Sequence, residues 1–186
     1  MNKLKRIGLY GISGTGKTTL LQELKKQCLD TICLEGSSLL LETANISLPE
    51  FKKLSDTQKY KLRENAMIAA HAIQETTQKH IIIDGHLVFA KSTNEFENVM
   101  TAKDAAFYTH YLYLKLPIAI IYERLQNDTT RKRNYTKEAL ENWMNYEWNA
   151  LQIFCTTQNL PLNIIETTNK QTTVDFICNY LKNESI

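Results

Sequence analysis

No run of apolar residues in this 186-residue chain approaches the ~20 needed to cross a bilayer; Ile81-Ile82-Ile83 is characteristic of their length. No apolar signal-peptide core precedes the glycine-rich segment near the N-terminus, and the expected location is cytoplasmic. Charge of one sign is lacking too. The 22 basic and 20 acidic residues leave a formal net charge of +2, which speaks against a nucleic-acid or membrane partner, so any positive field must be local. The four cysteines, Cys28, Cys33, Cys155 and Cys178, form neither a Cys-x-x-Cys pair nor the dense pattern of a secreted disulfide scaffold. Four reduced thiols, packed as small hydrophobes, are the expectation. With only 6 glycines and 3 prolines there is no linker rich in either, and no internal repeat, so residues 1–186 read as a single domain.

The 43% of hydrophobic residues is ordinary for a folded domain of this size, and its pattern alternates between two periods. Lys5 to Tyr10 reads as a strand, Thr18 to Leu29 as a helix with Leu20, Leu21, Leu24 and Cys28 on one face, and Thr31 to Leu34 as a second strand. Glu35-Gly36-Ser37-Ser38 has the composition of a turn, and the stretch from there to Gln78 is mainly helical, with Pro49 at a helix start. His80 to Asp84 fits a strand buried on both faces and is the expected central strand. Tyr111 to Leu116 is a further strand, ended by Pro117 and followed by a helix to Gln126; a polar loop, a helix from Thr136 to Gln158, a strand from Leu162 to Glu166 and a helix from Thr172 to Lys182 complete the chain. Strands alternating with helices predict a three-layer α/β fold on a parallel sheet.

Gly11-Ile12-Ser13-Gly14-Thr15-Gly16-Lys17-Thr18 satisfies G-x-x-x-x-G-K-[ST] at every specified position, after a strand and at the opening of a helix. Glycines let the backbone turn its N–H groups inward, and the helix adds its positive end, which together cradle phosphates. In this reading Gly11, Ser13, Gly14, Thr15, Gly16, Lys17, Thr18 and Thr19 bind the nucleotide, Lys17 reaches the β- and γ-phosphates and the Thr18 hydroxyl ligates Mg²⁺.

Asp84, closing the isoleucine strand, is the candidate second Mg²⁺ ligand, directly or through water. His86, two positions on, is either structural or a substrate contact. Arg124, Arg131 and Arg133 flank and fill the polar loop, where they are expected to spread charge developing on the triphosphate; a solvated basic loop is the alternative. Arg63 is a candidate for gripping an acceptor phosphate or carboxylate, or else makes an ordinary ion pair on a helix surface; Glu35 is a candidate acceptor contact. Trp143, Tyr146 and Trp148 read as packing residues. Asn169-Lys170-Gln171-Thr172 begins like a guanine-reading motif but lacks its aspartate, so guanine specificity is not supported.

The phosphate loop, Asp84-Gly85-His86 at a strand end, and Tyr122-Glu123-Arg124-Leu125 followed by Arg133-Asn134-Tyr135 together resemble the P-loop nucleoside and nucleotide kinase family, with the nearest similarity to the atypical adenylate kinases. The resemblance implies a five-stranded parallel sheet in the order 2-3-1-4-5, an acceptor-binding helical region at about residues 36–79 and an arginine-bearing lid at about 126–136. It further implies Mg-ATP as phosphoryl donor and a small-molecule acceptor, a nucleotide, nucleoside or similar compound, with Lys17, Thr18, Asp84, Arg124 and Arg133 at the site. Two other activities fit the phosphate loop: an ATPase switch acting on a protein partner, and a kinase of nucleic-acid 5′ ends, which needs a basic channel that the net charge does not advertise.

Overall fold

The computed structural model describes residues 3–92, 95–129 and 134–182. Five strands form one parallel sheet: β1 (Arg6–Tyr10), β2 (Thr31–Glu35), β3 (His80–Asp84), β6 (His110–Leu114) and β7 (Leu162–Ile165), in the order β2-β3-β1-β6-β7. Setting aside a small antiparallel hairpin of β4 (Val88–Ala90) and β5 (Phe96–Asn98), this is the expected 2-3-1-4-5 order. The middle place goes to β1 and not to the expected β3, which is an interior strand between β2 and β1. Ile81 and Ile83 face one hydrophobic cluster and Ile82 the other, all three at most 1% exposed, as a strand covered on both faces requires.

Helices α1 (Lys17–Gln27) and α8 (Lys170–Lys182) supply Leu20, Leu21, Leu24, Val174 and Ile177 to the cluster on one face. The opposite face is covered by α2 (Gly36–Ala44), α4 (Asp56–Thr77), α5 (Ala102–Phe107), α6 (Ile118–Gln126) and α7 (Lys137–Gln158), which contribute Leu39, Met67, Phe107, Ile121 and Trp143 among others. Between α2 and α4, α3 (Leu48–Lys53) opens on a capping box of Ser47 and Glu50 with Pro49 in its first turn. Trp143 is buried, and Tyr146 stacks on Phe96 at 4.7 Å, so both serve packing as expected. Asn169 of the guanine-like tetrapeptide instead caps α8, its Oδ1 accepting from the Thr172 N–H at 3.1 Å.

Two local expectations are corrected. Glu35-Gly36-Ser37-Ser38 is not a turn: β2 runs through Glu35 and α2 begins at Gly36. The four cysteines are not all thiols either, since Cys28 and Cys178 form a disulfide with a Cα–Cα distance of 5.9 Å. They lie 150 positions apart in sequence, and only the sheet topology, which lays α8 beside α1 on the same face, brings them together. Among the described residues, no helix is long and apolar enough to cross a membrane.

Thiol titration of protein purified and denatured without reductant is therefore expected to return two thiols, from Cys33 and Cys155, with a linked Cys28–Cys178 peptide on mass analysis. Reduction should cost about 2–4 kcal/mol of stability. Four titratable thiols would contradict the pairing.

Candidate active site

The phosphate loop bridges β1 and α1, and its geometry follows from its glycines. Gly16, the residue before α1, has φ +95°, a left-handed conformation that a side chain resists. Because Gly16 also leaves α1 without a side-chain cap, and no acidic residue lies in the first turn, the N–H groups and positive end of this helix face the loop uncompensated by a side chain. Lys17 is 7% exposed, with its ammonium folded back over the loop to donate to the carbonyls of Gly11 and Ile12.

Parallel pairing of β1 with β3 sets Leu9 opposite Asp84, so both strands deliver their ends to the same edge of the sheet. There the Thr18 hydroxyl donates to Asp84 Oδ2 at 3.4 Å, and the Gly36 N–H donates to Oδ1 at 3.0 Å. Burial pushes the Asp84 carboxyl above its ordinary range; nearby Lys17, the Gly36 N–H and the Thr18 hydroxyl oppose that rise, while Glu35 reinforces it. Glu35 itself is opposite Asp84 in the β2–β3 register and stands at the N-cap position of α2 without a side-chain cap hydrogen bond. A hydroxyl and a buried carboxylate in contact are suitable oxygen donors for Mg²⁺. Among the described residues no group of three or more His, Cys, Asp or Glu side chains is arranged to hold a metal.

On the other side of the loop, Arg124 of α6 donates to the carbonyls of Thr15 (3.2 Å) and Gly14 (3.4 Å). It also lines a cleft of about 290 Å³ with Thr15, Gly16, Thr19, Thr167 and Lys170, open beside the start of α1. Arg131 and Arg133 lie outside the described residues. His86 packs between the rings of Phe89 (5.3 Å) and Trp143 (5.8 Å). The Arg63 guanidinium lies over the Phe51 ring at 5.9 Å, in the field of Glu97, Asp104 and Asp56. The residues brought together are thus the loop, Lys17, Thr18, Asp84 and Glu35, with Arg124 behind the loop.

Sequence reasoning missed Glu147. This residue of α7 is 0% exposed and accepts the N–H groups of Leu87 (3.0 Å) and Val88 (3.3 Å). Burial pushes its carboxyl up to about 7, opposed first by Lys17 and then by those N–H groups and the Tyr113 hydroxyl. Its signal was present in the sequence, since Glu147 interrupts the buried stripe of Leu140, Met144 and Leu151 at helical spacing.

A strand ending in this loop, a helix opening with Lys17 and Thr18, and a carboxylate on the neighbouring strand define a P-loop nucleotide-binding protein. A family model described as an AAA domain matches residues 10–141, more than half of the chain, and the protein belongs to that family. Solved structures with a similar fold include the shikimate kinase of Bacteroides thetaiotaomicron, at 15% identity and a TM-score of 0.65, covering 97% of this chain and 100% of that one. The shikimate kinase of Acinetobacter baumannii, in complex with shikimate, is similar at 16% identity and a TM-score of 0.59, covering 98% of this chain and 97% of that one. No curated protein matches the sequence.

Gly36 couples the fold to the site, because a Cβ there would meet the Asp84 carbonyl oxygen at 2.4 Å. Gly36→Ala is expected to force β3 and α2 apart, lowering stability by about 1–3 kcal/mol in denaturant unfolding, and to weaken Mg²⁺-dependent ATP binding. Wild-type values for both would show that the contact is not constraining.

Proposed function

We propose that the protein is an ATP-dependent phosphotransferase that moves the γ-phosphate of Mg-ATP to a small hydroxyl- or phosphate-bearing acceptor. The observation that carries this reading is the meeting of the Thr18 hydroxyl and the Asp84 carboxylate, 3.4 Å apart, next to Lys17 and the uncapped start of α1. The loop N–H groups bind the β- and γ-phosphate oxygens, and Lys17 exchanges its bonds to the Gly11 and Ile12 carbonyls for the phosphates. Thr18 and Asp84 hold Mg²⁺, which supplies charge neutralisation at those phosphates when bound. Arg124, bonded to the Thr15 carbonyl of the loop and lining the cleft beside α1, spreads the charge that develops on the triphosphate.

The acceptor enters from the side of Asp84, bounded by Glu35 at the start of α2 and by His86. In this reading the acceptor region at about 36–79 comprises α2, α3 and α4, while the arginine-bearing lid expected at about 126–136 lies partly outside the described residues. Shikimate, the ligand in one similar structure, supports a small hydroxylated acceptor; a nucleoside would likewise attack through a hydroxyl oxygen, a nucleoside monophosphate through a phosphate oxygen. Catalysis in this reading is mainly positioning and charge stabilisation, since phosphoryl transfer asks little covalent chemistry of the protein.

Incubation with Mg-ATP and a panel of nucleosides, nucleoside monophosphates and small hydroxylated acids is expected to give ADP and phosphorylated product in step for one acceptor class. Lys17→Ala should lower that rate by about 10²-fold or more. ADP released at one rate whatever the acceptor, with no phosphorylated product, would instead identify an ATPase and overturn the kinase reading.

A further inference from the structure

The chain that follows Asp84 is fixed at two points. Immediately after the strand, the Gly85 N–H donates to the Leu9 carbonyl at 3.1 Å, extending the β1–β3 pairing by one residue. Beyond His86, the next peptides are gripped by α7. Glu147 Oε1 accepts the N–H groups of Leu87 and Val88, and Trp143, one helical turn earlier on the same face, donates its indole N–H to the Val88 carbonyl at 3.0 Å. The second carboxylate oxygen of Glu147 lies 3.4 Å from the Tyr113 hydroxyl, which also reaches the Met144 carbonyl at 3.2 Å.

A fully buried carboxylate is a costly way to fill a position on an apolar stripe, where leucine or methionine would pack without desolvating a charge. What Glu147 provides, and an apolar side chain does not, is one acceptor for two adjacent N–H groups, which fixes the direction in which the chain leaves Asp84. The field of Lys17 acts on both Asp84 and Glu147.

We propose that Glu147 is a positioning residue for the metal end of the site: from α7 it holds the peptide run after Asp84 so that this carboxylate stays beside the Thr18 hydroxyl. The inference rests on the reading of Asp84 as a Mg²⁺-holding group, and it extends the site to α7. Its action passes through backbone hydrogen bonds, so an amide of the same shape serves in place of the carboxylate, and an alkyl side chain does not.

The test compares ATP affinity with Mg²⁺ and with EDTA, by calorimetry, in wild type, Glu147→Gln, Glu147→Leu and Asp84→Asn, with thermal unfolding alongside. Glu147→Leu is expected to lose about tenfold or more of the Mg²⁺-dependent gain in affinity while its metal-free affinity stays at the wild-type value. Glu147→Gln should keep the gain. Loss of the gain in Asp84→Asn with its retention in a folded Glu147→Leu would overturn the inference and leave the metal reading standing. A gain untouched in Asp84→Asn would overturn the metal reading and the inference with it. Equal losses with and without Mg²⁺, tracking a fall in stability, would show a structural residue only. Should Glu147→Leu fail to fold, Trp143→Phe, which removes the other bond to Val88, must show a reduced gain, and a wild-type gain there would also overturn the inference. Because the measurement reads binding, absence of phosphoryl transfer to every acceptor would sink the kinase reading without touching this one.

Discussion

Parallel hydrogen bonding between β1 and β3, with Leu9 opposite Asp84, is the constraint on which the site depends. Parallel strands present their carboxyl ends at one edge of the sheet, so the loop after β1 and the carboxylate ending β3 emerge side by side although they are separated by more than 60 positions in sequence. A one-residue slip would turn Ile82 toward the wrong cluster and carry Asp84 away from Thr18. The apolar register that makes the core is thus the same register that makes the candidate metal site.

Charge is arranged around this edge with little solvent to screen it. Lys17, Asp84 and Glu147 are all buried, and a lone buried charge would be expensive. Each is offset by fixed partners: Lys17 by loop carbonyls, Asp84 by Thr18 and the Gly36 N–H, and Glu147 by two backbone N–H groups. The near-balanced net charge of +2 conceals this local pattern, in which the positive end of α1 and Lys17 favour an anion while the Asp84 and Glu147 carboxylates are buried within the field of Lys17. Glu147→Leu removes the acceptor of those two N–H groups, which makes it informative.

Much of the fold was legible because local signals and tertiary packing agree. The isoleucines of β3, the glycines before α1 and Pro117 before α6 each state their element unambiguously. Gly36 was misread because glycine among serines looks like a turn, whereas its real constraint is the backbone of Asp84, a contact that only strand pairing creates. The hairpin of β4 and β5 is too short to show a period, and its position depends on α7 rather than on its own residues. The Cys28–Cys178 pairing was illegible for a similar reason, being a consequence of how α8 returns over the sheet. At the site, the loop, Lys17, Thr18 and Asp84 could be named from spacing and chemistry. Arg63 illustrates the limit, since nothing in the sequence places its guanidinium over Phe51 and in the field of neighbouring acids.

A crystal structure of the protein with Mg²⁺ and a non-hydrolysable ATP analogue tests the central claim most directly. The account predicts the β- and γ-phosphates against the loop N–H groups with Lys17 turned onto them, and the metal bound by the Thr18 hydroxyl with Asp84 in its first or second coordination sphere. A triphosphate bound away from the loop, or a metal site that leaves Thr18 and Asp84 uninvolved, would contradict it.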